Sequence, residues 1–238
     1  MKKAAFVLIC LGLALSFAPI AEARQAAQPL VSSDLVRTAF LLTALSVAPS
    51  IFICMTSFIR IAIVLAMVRH AFGMPETPPN IVLVSLAALL TAFVMAPTFE
   101  AINQAALEPL MEQRIDVETA LERGSAPLRD FMLRQTRDED IASIYAIANA
   151  PLPQRPEDVE ILKLAPAYIL NELRVSFTIG FVILLPFLLI EVIVASILLA
   201  LGMMMVPPAT ISLPIKLLMF VLIDGWALII QGVIGGFR

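Results

Sequence analysis

Residues 166–208 read PAYILNELRVSFTIGFVILLPFLLIEVIVASILLALGMMMVPP. The apolar part of this stretch runs to Leu201, far beyond the roughly 20 residues that a helix needs to span a bilayer core. Few charges interrupt it. Glu172 and Arg174 lie near its start, Pro186 in its middle and Glu191 beyond. The run closes on LGMMMVPP, Leu201 to Pro208, with three consecutive methionines. Neighbours on a helix point about 100° apart, so three in a row cannot share one face. Either one methionine is core and the others are incidental, or the segment is a loop that all three serve. The flanks favour a turn. Pro207 and Pro208 remove two backbone donors and stop a helix, and Gly202 relaxes the backbone on the other side. The stretch therefore predicts a long apolar helix, a methionine turn and a returning helix.

The same pattern extends outward. The chain has 238 residues, of which 60% are hydrophobic and only 15% charged. A soluble domain carries about 25% charge, so this is a membrane-protein composition. A net charge of -3 says little about partners, and no basic face suggests nucleic acid. One histidine and two cysteines leave little for a metal site. The sequence shows no nucleophile motif, phosphate loop or metal-ligand spacing, so no catalytic residue and no cofactor are assigned.

Four apolar regions are predicted. Leu35 to Phe72 is almost continuous, interrupted by Arg37, Pro49, Arg60 and Arg69. It is one long kinked helix or two pieces broken near Pro49. Gly73 to Asn80, GMPETPPN, is a turn, and Pro78 and Pro79 stop the helix there. The second region is Ile81 to Ile102, and the third ends at the methionine turn. The fourth runs from about Ile211 to Phe237, with Lys216 and Asp224 inside it. Between the second and third, residues 103–163 hold most of the 19 acidic residues. There Leu107, Leu110 and Met111, then Leu128, Phe131 and Met132, then Ile141, Ile144 and Tyr145 recur at helical spacing. These predict short amphipathic helices in a small polar insertion.

The first residues have a basic start at Lys2 and Lys3, an apolar run from Ala4 to Ala18, Pro19, and then Ala21-Glu22-Ala23. This reads as a signal peptide cut after Ala23, with Ala21 and Ala23 forming the cleavage box; the alternative is an uncleaved first membrane helix. The organisation is thus a signal peptide at 1–23, a flexible lead at 24–33, a first hairpin at 34–102, a polar domain at 103–163 and a second hairpin at 164–238. The fold class is all-α and membrane-associated. Counting spans from a cleaved, external N-terminus places the 74–80 turn inside, 103–163 outside, the methionine turn inside and the C-terminus outside. Arg60, Arg69 and His70 agree with positive charge inside.

Arg60, Glu191, Lys216 and Asp224 lie within or beside apolar runs, where each would cost about 2.5–3.5 kcal/mol at a helix centre. They are expected to pair between helices or subunits, or to snorkel from a segment end.

MTSFIRIAIVLAMVRHAFGMPETPPN (55–80), FVMAPTFE (93–100), the quoted 166–208 stretch and ISLPIKLLMFVLIDGW (211–226) together resemble the FliP family of flagellar export-apparatus proteins. The likeness covers most of the chain and is weakest over 103–163. Injectisome counterparts share the blocks, and the signal peptide favours the flagellar branch. The resemblance implies a core component of type III protein export in the bacterial inner membrane, at the flagellar basal body. It implies a homo-oligomer, a pentamer, built with FliQ and FliR into a conical channel for unfolded substrates, near FlhA and FlhB. Residues 103–163 would lie on the periplasmic side. Met203, Met204 and Met205 would map onto the channel constriction, and Gly202, Pro207 and Pro208 onto its hairpin turn. A lone secondary transporter and a structural factor that nucleates the basal body without touching cargo are the competing readings.

Overall fold

The computed structural model describes residues 53–73 and 77–237, with isolated helical positions at 38, 42, 43, 46 and 50. The signal peptide, Ala21 and Ala23, the 24–33 lead and Pro49 lie outside the described residues. The chain divides into two compact units, residues 1–49 and 50–238. In the first, the Ser46 hydroxyl donates to the Leu42 carbonyl at 2.8 Å.

The second unit is helical, with no strand among the described residues. Its order is α1 (Phe58–Ala71), α2 (Asn80–Ile102), a π-helical turn (Asn103–Leu107), α3 (Glu108–Met111), α4 (Val117–Gln135), α5 (Asp138–Ile147), a 3-10 turn (Pro156–Asp158), α6 (Ile161–Ala200), α7 (Pro208–Leu222) and α8 (Gly225–Ile234). Among the described residues, two helices are long and apolar enough to cross a membrane: Asn80–Met111, which runs from α2 through α3, and α6. The pair α7 and α8 passes the same test only if taken together, and it is bent by 66°.

Local chemistry sets the boundaries. Helix α1 begins after a turn in which the Thr56 hydroxyl donates to the Ile53 carbonyl at 2.8 Å. It ends at Gly73, whose φ of 76° is costly for a residue with a Cβ. Arg69 and His70 occupy its last turn, against the negative end of the helix dipole. Helix α2 starts directly after Pro79. Pro97 then breaks one rung inside it, and the π-helical turn follows. The helix continues past Ile102, where sequence ends the second apolar region. Helix α4 is capped by Asp116, whose carboxylate accepts from the Thr119 amide at 3.2 Å.

Two cores hold the unit together. One joins Ile61, Val64, Leu65 and Val68 of α1 to Leu83 and Ala87 of α2, Phe187 of α6, Phe220 of α7 and Val233 of α8. Phe72 meets Phe187 and Phe220 edge-on, at 5.2 and 4.8 Å between ring centres, an arrangement that the aromatic quadrupole favours. The other core joins Met95 of α2 to Phe131 and Met132 of α4, Ile141 and Tyr145 of α5, and Leu164 and Tyr168 of α6. The amphipathic helices of 103–163 therefore bury their apolar faces on the long helices α2 and α6. Leu107 and Met111, two residues of the predicted pattern, stay exposed instead. They lie on the helix that prolongs α2, outside the second core.

The fourth apolar region is divided. Asp224 adopts the left-handed conformation, with φ 51°, between α7 and α8. A Cβ on the next residue, Gly225, would fall 2.1 Å from the Phe220 ring, so the bend needs glycine there.

Candidate functional site: a methionine turn above a charged clip

The turn at 201–207 follows from the end of α6. The Gly202 amide donates to the Leu199 carbonyl at 3.0 Å, and the Met203 amide donates to the Leu198 carbonyl at 2.9 Å. Gly202 itself has φ 75°. These two bonds and the left-handed residue make a Schellman cap, which satisfies carbonyls that a helix end would otherwise orphan. The Val206 amide then donates to the Met203 carbonyl at 3.3 Å. Pro207 caps α7 and Pro208 takes its first position, where no backbone donor is missed. Seven residues, 201–207, therefore reverse the chain, and the methionines sit at the apex. Met203 is 44% exposed, Met204 80% and Met205 95%.

The hairpin is clipped along its length. Lys216 Nζ of α7 donates to Glu191 Oε2 of α6 at 2.7 Å and lies 3.4 Å from the Ala71 carbonyl at the end of α1. Lys216 is buried and Glu191 about half exposed. Both lie roughly 12–14 Å along their helices from the turn, at 1.5 Å per residue. The clip joins three helices where they meet.

Arg60 makes a second, deeper knot. Its Nε donates to Glu172 Oε2 at 2.7 Å, and its Nη2 donates to Glu172 Oε1. Nη2 also reaches Gln135 Oε1 at 3.3 Å, and Nη1 donates to the Gly236 carbonyl at 3.0 Å. The guanidinium lies 3.8 Å from the centre of the Phe237 ring. Arg60 is 2% exposed and Glu172 0%. One planar fork thus ties α1, α4, α6 and the C-terminal residues together. A third pair anchors α5: both terminal nitrogens of Arg174 donate to the Asp140 carboxylate, at 2.8 Å each.

Of the four charges expected to pair, the structure joins Lys216 to Glu191. It joins Arg60 to Glu172, a residue outside that set. Asp224 makes no ion pair among the described residues. Sequence held a signal for Glu172. Tyr168, Glu172, Ser176 and Gly180 recur at four-residue spacing and are all buried on α6. Gln135, Gly236 and Phe237 carry no such signal, because they reach Arg60 only through tertiary packing. Among the described residues no cluster of histidine, cysteine or carboxylate could hold a metal.

An open apolar groove of about 430 Å³ lies between α6, α7 and α8, lined by Val182, Ile183, Pro186, Phe220, Leu228 and Ile229 among others.

A family profile described as FliP family matches residues 41–233. The chain belongs to the FliP family. Its relatives carry the name flagellar biosynthetic protein FliP. The one from Pectobacterium carotovorum is 50% identical over 195 residues, covering 82% of this chain and 76% of the relative. The one from Caulobacter vibrioides is 40% identical over 245 residues, covering 100% and 92%. The one from Bacillus subtilis is 45% identical over 205 residues, covering 86% and 93%. The family region takes in the Arg60–Glu172 and Lys216–Glu191 pairs, the methionine turn, both membrane-compatible helices and nearly all of the bent α7–α8 pair. The chain is thus a flagellar biosynthesis protein with helices able to enter a membrane.

Proposed function

We propose that this chain is a channel-forming subunit of the flagellar type III export apparatus. Several copies, five in this reading, assemble with FliQ and FliR in the bacterial inner membrane, near FlhA and FlhB. Unfolded flagellar proteins pass through, and residues 103–163 face the periplasm. The four apolar regions act as two hairpins in this assembly. It has no enzymatic step.

The observation that carries the proposal is the exposed methionine apex between a Schellman glycine and two prolines. Met204 and Met205 are bare thioethers on a tight hairpin tip that cover little of their own chain, and Met203 beside them is partly exposed. From several subunits they would form a ring. Methionine is unbranched and adaptable, so such a ring seals against ions and still reshapes around varied passing chains. A hydrophobic constriction also excludes water without a folded plug.

Replacing Met203, Met204 and Met205 together with alanine should make the assembled channel leak small ions. Conductance in reconstituted vesicles reads this, and unchanged conductance with unchanged export would reject the seal. A photoreactive residue in place of Met204 should crosslink to a stalled export substrate. Its failure to do so, in an export-competent complex, would favour a structural nucleating role without cargo contact.

A further inference from the structure

We propose that Met204 and Met205 are sites of reversible sulfoxidation, and that their oxidation opens the constriction. The inference rests on the methionine apex being the channel seal.

The chain grades its methionines sharply by access. Met95 and Met132 are fully buried in the second core. Met204 and Met205 stand out from the turn, 80% and 95% exposed. Met111 is also exposed, at 82%, but lies on α3, far along the chain from the turn. The backbone bonds of the turn, from the amides of Gly202, Met203 and Val206, use no methionine side chain, so changing the side chains leaves those bonds in place.

The chemistry is an oxygen-atom transfer from a peroxide. The thioether sulfur donates an electron pair to the peroxide oxygen, the O–O bond breaks and water leaves. The sulfur is oxidised by two electrons and the peroxide reduced by two. A thiol-dependent methionine sulfoxide reductase reverses the change, with a separate enzyme for each sulfoxide epimer.

The consequence follows from how an apolar constriction works. It stays dry because its wall offers water no strong acceptor. A thioether is a weak acceptor, whereas a sulfoxide is polar and accepts strongly. Oxidation therefore lines the narrowest point with acceptors and lets a water column form. Because each copy contributes adjacent methionines, partial oxidation already wets the ring from several sides.

The test uses the complete export complex in vesicles, in a Cys54→Ser background so that thiol oxidation plays no part. Hydrogen peroxide is the probe. Peptide mass spectrometry should find one added oxygen at Met204 and Met205 and none at Met95 and Met132. Ion conductance should rise several-fold and fall again after treatment with both reductases. A variant with Met203, Met204 and Met205 replaced by leucine stays apolar but has no sulfur to oxidise. Its conductance, measured against its own untreated level, should not change on adding peroxide, although its Met111 is still oxidised. An equal rise in the leucine variant, or oxidised Met204 and Met205 with unchanged conductance, overturns the proposal. The seal itself is judged separately by the alanine variant: if that variant leaks while oxidation has no effect, the seal stands and only the redox inference fails.

Discussion

Arg60 shows how one residue can organise a membrane-protein core. Its guanidinium offers five donors in a plane, and the structure uses them on a carboxylate, an amide and a backbone carbonyl. Removing one partner of such a buried pair leaves the other charge uncompensated, a loss of about 3–5 kcal/mol. Arg60→Gln and Glu172→Gln should each destabilise the chain by that amount in detergent unfolding. The double variant should fall well short of the sum, since the second change removes the orphan. Additive losses would show that the two residues act separately. Glu191→Gln should cost less, because Glu191 is half exposed and Lys216 keeps the Ala71 carbonyl nearby. The identity of Arg60 and Lys216 as unusual charges is legible in sequence from the apolar residues around them. Which carboxylate each one meets is not, because Glu172 is 112 residues from Arg60 in the chain.

At the scale of elements, α6 is shaped by small residues at contacts. A Cβ on Gly180 would lie 2.2 Å from Met67 Sδ and 3.2 Å from Met67 Cβ. The glycine lets α1 lie close against α6. Gly180→Val should push the two helices apart and cost about 1–3 kcal/mol, as overpacking does. A thermal melt in detergent would read this, and a melt matching wild type would show that Met67 yields freely. At the start of α4, hydrogen bonds from Thr119 hold the Asp116 carboxyl below its ordinary value of 3.8. A lowered folded value means that the cap contributes fully above the unfolded value. The contribution is lost as pH falls through the folded one. Protection from amide exchange at 117–120, taken relative to the unfolded chain at the same pH, should therefore fall only below the ordinary carboxylate range, and Asp116→Ala should show the reduced protection already at neutral pH. Equal protection in the variant would mean that the cap does not hold this end. The capping residue and the helical periodicity of 103–163 are visible in sequence. What the apolar faces pack against is not.

For the whole molecule, closure depends on residues near both ends of the second unit. Phe237 covers the Arg60 guanidinium and stacks near Phe131, 6.3 Å between ring centres. It thereby links the two cores, in both of which it packs. Phe237→Ala should cost about 2 kcal/mol or more from a desolvated cation–π contact alone. Limited proteolysis should then reach the 225–237 segment first. If cleavage sites do not change, the C-terminal residues are held by other contacts. Elsewhere the molecule leaves large apolar side chains bare along α2, α6 and α7, among them Phe93, Phe181, Val192 and Leu218. Such surface is stable only against lipid or further protein.

Sequence alone determined the helical class, the membrane-compatible length of α6, the turn at Leu201–Pro208 and the family. These are local properties: hydropathy over one helix length, the φ freedom of glycine and the donors that proline lacks. Tertiary structure alone decided the packing of the polar insertion on α2 and α6. It also decided the bend at Asp224 and the choice of Glu172 for Arg60. The reason is physical. Which buried charge meets which, and which apolar face covers which, depend on distances between segments far apart in the chain. No periodicity within one segment records them.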